Sequence, residues 1–365
     1  MIKRQITDRR IEGLDFARAL ALFGMFVVNY KVIVGAEGNG AEWLIWFTEL
    51  FQGRASAIFV LLAGIGISLM TRQARNGNSD LLIRKSKKII WKRSVFLFLL
   101  GMVLYVAGWT GDILHYYGMF MFIASFLIAA SNKIIIIICI LFGLIAQIMQ
   151  VTGNYLKGWN LDRPFIEYTD FWTTEGYLRN LLFNGYHPIF PWVCFFLIGM
   201  IIGRHDLTNK IILKKIGIIS SILLIFSEFI SRVLLQFSLR VLDVESASYL
   251  FQTGPIPPNL FYLISNTSSA LLVVVISIYI TSKFSRNWLI NALVKTGQLA
   301  LTHYVSHVFV GIGILILLNK LEYQTLGFSL IFSVLFFVGS ILFSIIWRMK
   351  FKRGPLELVM RKLVN

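Results

Sequence analysis

"SVFLFLLGMVLYVAGWTGDILHYYGMFMFIASFLIAA", residues 94–130, joins two strongly apolar runs through a polar and aromatic junction, Gly108–Gly118. Crossing the hydrocarbon of a bilayer takes about 20 residues of helix. If both runs span, the junction lies at a membrane face or dips into it. The chain places Trp109, Asp112, His115, Tyr116 and Tyr117 there. Reading the two runs as consecutive spans sets the class of the whole chain, because similar runs recur along its length.

The composition agrees. Of 365 residues 57% are hydrophobic and 15% charged, and the mean hydropathy is +0.73. Soluble domains are nearer 25% charged, and no polar stretch is long enough to hold one. The expected fold is all-α, a polytopic membrane helix bundle of about ten spans. They lie near 13–35, 50–70, 94–109, 112–130, 134–152, 182–203, 216–238, 258–281, 297–319 and 326–347. The domain reading is one integral-membrane unit over 1–365, with a basic N-terminal segment (1–12), the bundle (13–347) and a basic tail (348–365). The first run lacks a small-residue cleavage site and reads as a retained span. Cys139 and Cys194 fall inside apolar runs, as small hydrophobes rather than a disulfide framework.

The net charge of +17 is explained by its distribution. Lys3, Arg4, Arg9 and Arg10 share one face with the basic segment 71–93, with Lys133, Arg204, Lys210, Lys214 and Lys215, with Lys283, Arg286 and Lys295, and with the tail. The opposite face holds only Lys157, Arg163, Arg179, Arg240 and Lys320. Positive residues collect on the cytoplasmic side, so both termini are expected there, in a multi-pass protein of the cell (inner or plasma) membrane. The partner this implies is the lipid bilayer, with no nucleic acid, and an oligomer is compatible with the sequence. Arg84, Lys85, Lys87 and Lys88 serve topology; a sharper role is to meet a soluble polyanion such as the phosphates of coenzyme A.

Ionisable residues inside spans are costly and tend to mark function. Asp15 and Arg18 share a face near the inner end of the first span, where a local ion pair is the simple reading. Asn29 and Tyr30 lie toward its outer end. Glu49 and Arg54 reach the outer boundary of the second span, whose Ala55, Ser56, Ala63, Gly64 and Gly66 permit close helix packing. Asp112 and His115, spaced i,i+3, suit a carboxylate orienting an imidazole as general base; the alternative is a helix cap within an aromatic belt. His187 sits beside Pro188, and Pro191 follows, where the helical ladder must break. Glu228 and Arg232 have the spacing of an internal salt bridge. His303 and His307 share a face, but no third ligand with zinc-like spacing accompanies them, so no metal site is expected. The outer loop near 153–181, with Trp159 and Trp172, is a candidate partial lid.

Three stretches together resemble a known family: "RIEGLDFARALALFGMFVVNY" (10–30), "GWTGDIL" (108–114), and "GQLALTHYVSH" (297–307) followed by a terminal F-x-R-G-P-L-E pattern, Phe351 to Glu357. The chain is similar to the YeiB-like bacterial inner-membrane proteins. Through its first two spans it also resembles, more distantly, transmembrane acyltransferases of the heparan-alpha-glucosaminide N-acetyltransferase type. That likeness implies a donor, acyl-CoA, on the cytosolic side, an acceptor on the far side that is a sugar or another hydroxyl or amine, and no tightly bound cofactor. Those enzymes carry a histidine between spans 1 and 2; this chain has none there, so His115 or His187 would take its place. On this reading His115 is the base, Asp112 orients it, Asn29 or Arg54 polarises the thioester carbonyl, and Asp15 and Arg18 shape the inner mouth. A transporter or lipid-handling protein without chemistry is the alternative, since embedded ion pairs and broken helices also suit alternating access.

Overall fold

The computed structural model describes residues 10–77, 79–162 and 165–364. Lys3, Arg4, Arg9 and Arg163, placed by charge above, lie outside them. The helices are α1 (Glu12–Ile33), α2 (Glu42–Glu49), α3 (Arg54–Met70), α4 (Arg72–Asn76), α5 (Asp80–Val106), α6 (Leu114–Ser125), α7 (Asn132–Thr152), α8 (Thr174–Arg179) and α9 (Ile189–Ile202). There follow α10 (Lys210–Ser238), α11 (Val244–Phe251), α12 (Leu260–Lys283), α13 (Trp288–Gln298), α14 (Ala300–Ser306), α15 (Gly313–Leu317), α16 (Leu326–Lys350) and α17 (Pro355–Val364). π-helical turns extend α8 over Asn180–Asn184 and link α14 to α15 over His307–Ile312. Side-chain caps start many of these helices. Ser79, Ser131, Asn209, Asn259, Asn287 and Thr325 each accept a backbone N–H of the following turn, satisfying a donor the helix cannot.

Among the described residues eight segments are long and apolar enough to cross a membrane, and the pair 174–184 and Ile189–Ile202, bent by 50°, makes a ninth. They correspond to nine of the ten expected spans. The remaining one, expected over 112–130, is corrected: α6 has 12 residues, about 18 Å at 1.5 Å per residue, too short to cross hydrocarbon alone. It runs back along α5, and Trp91 of α5 donates to Ser125 at its end (2.7 Å). The non-helical backbone before it is sunk into the protein, since Trp109, Asp112 and Ile113 are all buried. Irregular backbone at membrane depth is tolerated when protein seals it.

α1 is the central post, packed by α3, α12, α13 and α16. In its apolar window 61% of residues are buried, against 17% in α10 and 22% in α7 and α16, which therefore face lipid. α10 and α16 turn serines inward, Ser220, Ser227 and Ser231 on one and Ser333, Ser340 and Ser344 on the other. Cys194 is buried and Cys139 half-buried; both are free thiols.

α3 and α9 pack closely, and small residues allow it. A Cβ on Gly64 would collide with the backbone of Phe196 and Met200, and one on Gly199 with Leu61. Gly64→Val is expected to destabilise the bundle by about 2–3 kcal/mol, read as a lower melting temperature in detergent. Gly339→Val, where a Cβ meets nothing within 4 Å, should leave melting unchanged.

Candidate functional site

The junction that opened the sequence reading builds the centre of the site. Asp112 and His115 are fully buried. His115 Nδ1–H donates to Asp112 Oδ2 (2.9 Å), and the His115 backbone N–H donates to the same oxygen (3.0 Å). The cap and the orienting carboxylate, alternatives in the sequence, are one residue. Asp112 Oδ1 accepts from the Tyr304 hydroxyl (3.2 Å), and that hydroxyl accepts from Ile113 N–H (3.1 Å) and Trp109 Nε1–H (3.4 Å). A carboxylate held at this depth needs such partners. With Nδ1 donating, Nε2 carries the lone pair, and among the described residues it has no hydrogen-bond partner. The proton-accepting atom of the ring is therefore free. Gly101 of α5 makes room for the pair: a Cβ there would fall under 3.0 Å from His115 N and Asp112 Oδ2.

Beyond His115 the loop between α7 and α9 packs down as an aromatic cover. Phe171 stacks on Tyr105 at 3.6 Å, and its ring stands 6.2 Å from that of His115. Asn184 pins the loop by accepting from Tyr168 (2.8 Å) and donating to the Tyr155 and Lys157 carbonyls (2.8 Å each). Arg179 pairs with Asp170 and Glu175. Trp159 is buried within this cover, whereas Trp172 is exposed. His187 sits at the break before α9, its ring 4.5 Å from Trp192 and 5.9 Å from Tyr116, which lies 3.8 Å from His115. His187 Nδ1 and Trp192 Nε1, both buried, also lack partners among the described residues. Two imidazoles thus flank Tyr116, each with a free nitrogen.

On the other side a cavity of about 440 Å³ runs toward the pair from the basic end, within the range of small-molecule sites. Its mouth is lined by Arg10, Arg18, Arg93, Gln298 and Glu357, its walls by Met25, Phe59, Leu62, Ala63, Leu97 and Met121, and its end by Ile113, Leu114, Tyr117 and Tyr304. Ile113 and Leu114 are the residues between Asp112 and His115, so the cavity reaches the backbone that carries the pair, while neither side chain of the pair lines it. Asp15, buried, organises the mouth. It accepts from Arg10 Nε (2.5 Å) and Nη2 (2.9 Å), from Arg18, and from Gln298 (3.4 Å).

The terminal motif supports the same region. Glu357 accepts from Leu301 N–H (2.9 Å), Thr302 N–H (3.2 Å) and the Thr302 hydroxyl (2.6 Å). It thereby caps α14 where the helical path breaks at Leu299. Burial pushes its carboxyl above the usual range, against the pull of those hydrogen bonds. A Cβ on Gly354 would strike Glu357 and Thr302, which accounts for the glycine of the motif.

The other sequence candidates separate. Asn29 donates to His307 Nε2 (3.0 Å), while His307 Nδ1–H donates to the Tyr304 carbonyl, so Asn29 is spent on holding the Tyr304 helix. Arg54 pairs with Glu228 (3.3 Å), which also accepts from Ser265 (2.6 Å) and Thr253 (3.2 Å). The expected Glu228–Arg232 bridge is thus replaced by a contact between helices, and Arg232 is exposed. Arg84, Lys85, Lys87 and Lys88 do not line the cavity; Lys87 sits over the Phe126 ring at 5.5 Å. His303 and His307 part company, His303 pairing with Ser344 (2.7 Å). The sequence reading missed Tyr304, Arg93 and Glu357. Tyr304 was one residue inside the quoted "LTHYVSH", but nothing in its spacing pointed to Asp112.

Two family models match the chain. Residues 10–240, well over half of it, match "Heparan-alpha-glucosaminide N-acetyltransferase, catalytic". Residues 208–365 match a family described as a protein of unknown function, DUF418. The chain is also 22% identical to the uncharacterized protein YeiB of Escherichia coli (strain K12), over 96% of this chain and 95% of that protein.

Proposed function

The chain belongs to the heparan-alpha-glucosaminide N-acetyltransferase catalytic family, and on that premise we propose that it is a transmembrane acyltransferase. It takes an acyl group, acetyl in the simplest case, from acyl-CoA at the basic end. It delivers it to an amine or hydroxyl, such as that of a sugar, at the opposite end. The charge asymmetry supports a cytoplasmic side for the basic end and both termini, in a cell membrane.

The observation that carries this reading is the cavity lined at once by Arg10, Arg18 and Arg93 and by Ile113 and Leu114, the two residues between Asp112 and His115. Its parts match the donor in order. The nucleotide phosphates meet Arg10, Arg18 and Arg93, guanidinium groups suited to phosphate. The pantetheine arm follows the apolar walls, and the thioester arrives at Tyr304 and Leu114. The acceptor approaches from the side of the aromatic cover. Its nitrogen or oxygen attacks the thioester carbonyl carbon while His115 Nε2 takes its proton, and Asp112 stabilises the imidazolium. The C–S bond then breaks, and the coenzyme A sulfur leaves with the proton from His115. The Tyr304 hydroxyl, at the cavity's end, gives its one proton to Asp112 Oδ1 and so holds the carboxylate that orients the base. Tyr304 and the Ile113–Leu114 peptide form the wall between donor and base, so transfer requires this wall to shift. Asn29 and Arg54, engaged elsewhere, are positioning groups on this account.

Thermal melting of the purified protein titrated with acetyl-CoA tests the reading, with ATP and free coenzyme A as controls. Binding to the folded state alone raises stability by about 2.7 kcal/mol at a hundred times Kd. Saturable stabilisation beyond that by ATP is expected, and Arg18→Ala with Arg93→Ala should raise the half-saturating concentration about tenfold, worth about 1.4 kcal/mol. No shift at millimolar acetyl-CoA would overturn it.

A further inference from the structure

Two tyrosines line the inner end of the donor cavity, Tyr117 and Tyr304, and their hydroxyls differ. The Tyr304 hydroxyl is engaged on all sides. It donates to Asp112 Oδ1 (3.2 Å) and accepts from Ile113 N–H (3.1 Å) and Trp109 Nε1–H (3.4 Å). The Tyr117 hydroxyl makes no hydrogen bond to the protein among the described residues. Its side chain is half-buried, so a donor stays open at a place where Ile113, Leu114 and Met121 make the lining apolar. The polar groups of the mouth are bound within the protein: Arg10, Arg18 and Gln298 on Asp15, and Glu357 on Leu301 and Thr302.

α6 holds this hydroxyl in place. Leu114, Tyr117 and Met121, spaced i, i+3 and i+7, all line the cavity, so they form one face of the helix. His115 lies two residues before Tyr117, about 200° around the axis, and carries the base to the other side. On α5, the Ser94 hydroxyl donates to the Gly118 carbonyl (2.6 Å), and a Cβ on Gly118 would collide with the backbone of Ser94 and Phe98. The helix is therefore pressed against α5. From α9 the ring of Phe196 meets that of Tyr117 edge-on, at 6.1 Å.

We propose that the Tyr117 hydroxyl donates to the carbonyl oxygen of the donor thioester and stabilises the oxyanion that forms there. This deepens the acyltransferase reading and rests on it. The phosphates of the donor belong at the guanidinium mouth, and the acyl end arrives at Leu114. That end carries a carbonyl oxygen, an acceptor that is costly to bury without a donor. Tyr117, one turn along α6 from Leu114, supplies the donor. When the acceptor nitrogen or oxygen adds to the carbonyl carbon, the C=O π electrons move onto this oxygen and the Tyr117 hydrogen bond strengthens. The hydroxyl keeps its proton, and the C=O bond re-forms as the C–S bond breaks. A donor aimed at charge that grows in the transition state accelerates the step. One short helix then carries both the base and the oxyanion donor.

S-ethyl-coenzyme A isolates this contact, because it has the carbon count of acetyl-CoA and no carbonyl. The full chain in detergent is melted while each ligand is titrated. The wild type should bind acetyl-CoA about three- to tenfold more tightly than the thioether, the range of one hydrogen bond. Tyr117→Phe keeps the ring against Phe196 and should melt as the wild type does without ligand. It should bind the thioether as the wild type does and lose the preference for acetyl-CoA, whereas Tyr304→Phe should retain that preference. In transfer assays Tyr117→Phe should lower kcat by about 10²-fold and raise KM for acetyl-CoA by no more than about tenfold. Equal binding of the two ligands by the wild type overturns the inference. Equal weakening of both by Tyr117→Phe also overturns it, by placing the hydroxyl on another part of coenzyme A. A preference lost in Tyr304→Phe and kept in Tyr117→Phe does the same. In these three cases saturable binding by the wild type leaves the acyltransferase reading standing. A wild type stabilised by neither ligand removes that reading and the inference with it.

Discussion

Replacing His115 by alanine should lower acyl transfer by about 10²–10⁴-fold, the usual contribution of a positioned general base, while acetyl-CoA still stabilises the protein. The donor cavity is lined by Ile113 and Leu114 but not by the imidazole, so donor binding and proton removal are separable. Asp112→Asn tests the other half of the pair. An amide can donate to His115 Nδ1 and turn the tautomer, placing the proton on Nε2 and blocking the base. Its effect should approach that of His115→Ala, and the double variant should be little worse than either single one. A His115→Ala protein that transfers at the wild-type rate would remove this histidine from the chemistry; His187, with its own free nitrogen beside Tyr116, would then be the group to replace next.

Blocking the donor path should have an effect as large, from the opposite side. Ala63 of α3 lines the apolar wall of the cavity between the basic mouth and Tyr304. Ala63→Trp fills that passage, and acetyl-CoA stabilisation should fall by about 100-fold in affinity, or about 2.8 kcal/mol. Because Ala63 neighbours the tight α3–α9 contact at Gly64, melting without ligand is the necessary control. Gly66→Trp is the companion: Gly66 also lines the cavity, and a Cβ there meets only Arg18 at 3.9 Å. If both variants melt normally and still respond to acetyl-CoA, the donor does not use this cavity.

The helical membrane bundle was legible because apolar runs of spanning length have few other fates. The exception is instructive. The run 112–130 is apolar enough to span, yet its first residues are held as buried irregular backbone by Tyr304, a residue 192 positions away. No local pattern encodes that contact. Asp112 and His115 were legible for the opposite reason: both lie on one turn, so spacing alone brings them together. The Asp15–Arg18 pair was legible in the same way. The mouth of the cavity was not, because Arg10, Arg93 and Glu357 come from three distant segments and converge only through packing. Charge density pointed to Arg84–Lys88, but density reports topology, whereas Arg18 and Arg10 are fixed by a single buried carboxylate. Glu228 shows the same limit, since a partner four residues away was displaced by Arg54 from another helix.

The most direct measurement uses proteoliposomes that enclose a glucosamine disaccharide and receive labelled acetyl-CoA outside. The account predicts labelled N-acetylated sugar in the lumen, dependent on His115 and absent from protein-free vesicles. Label that appears only when both reagents share one side of the membrane, or does not appear at all, would contradict transfer through the bundle.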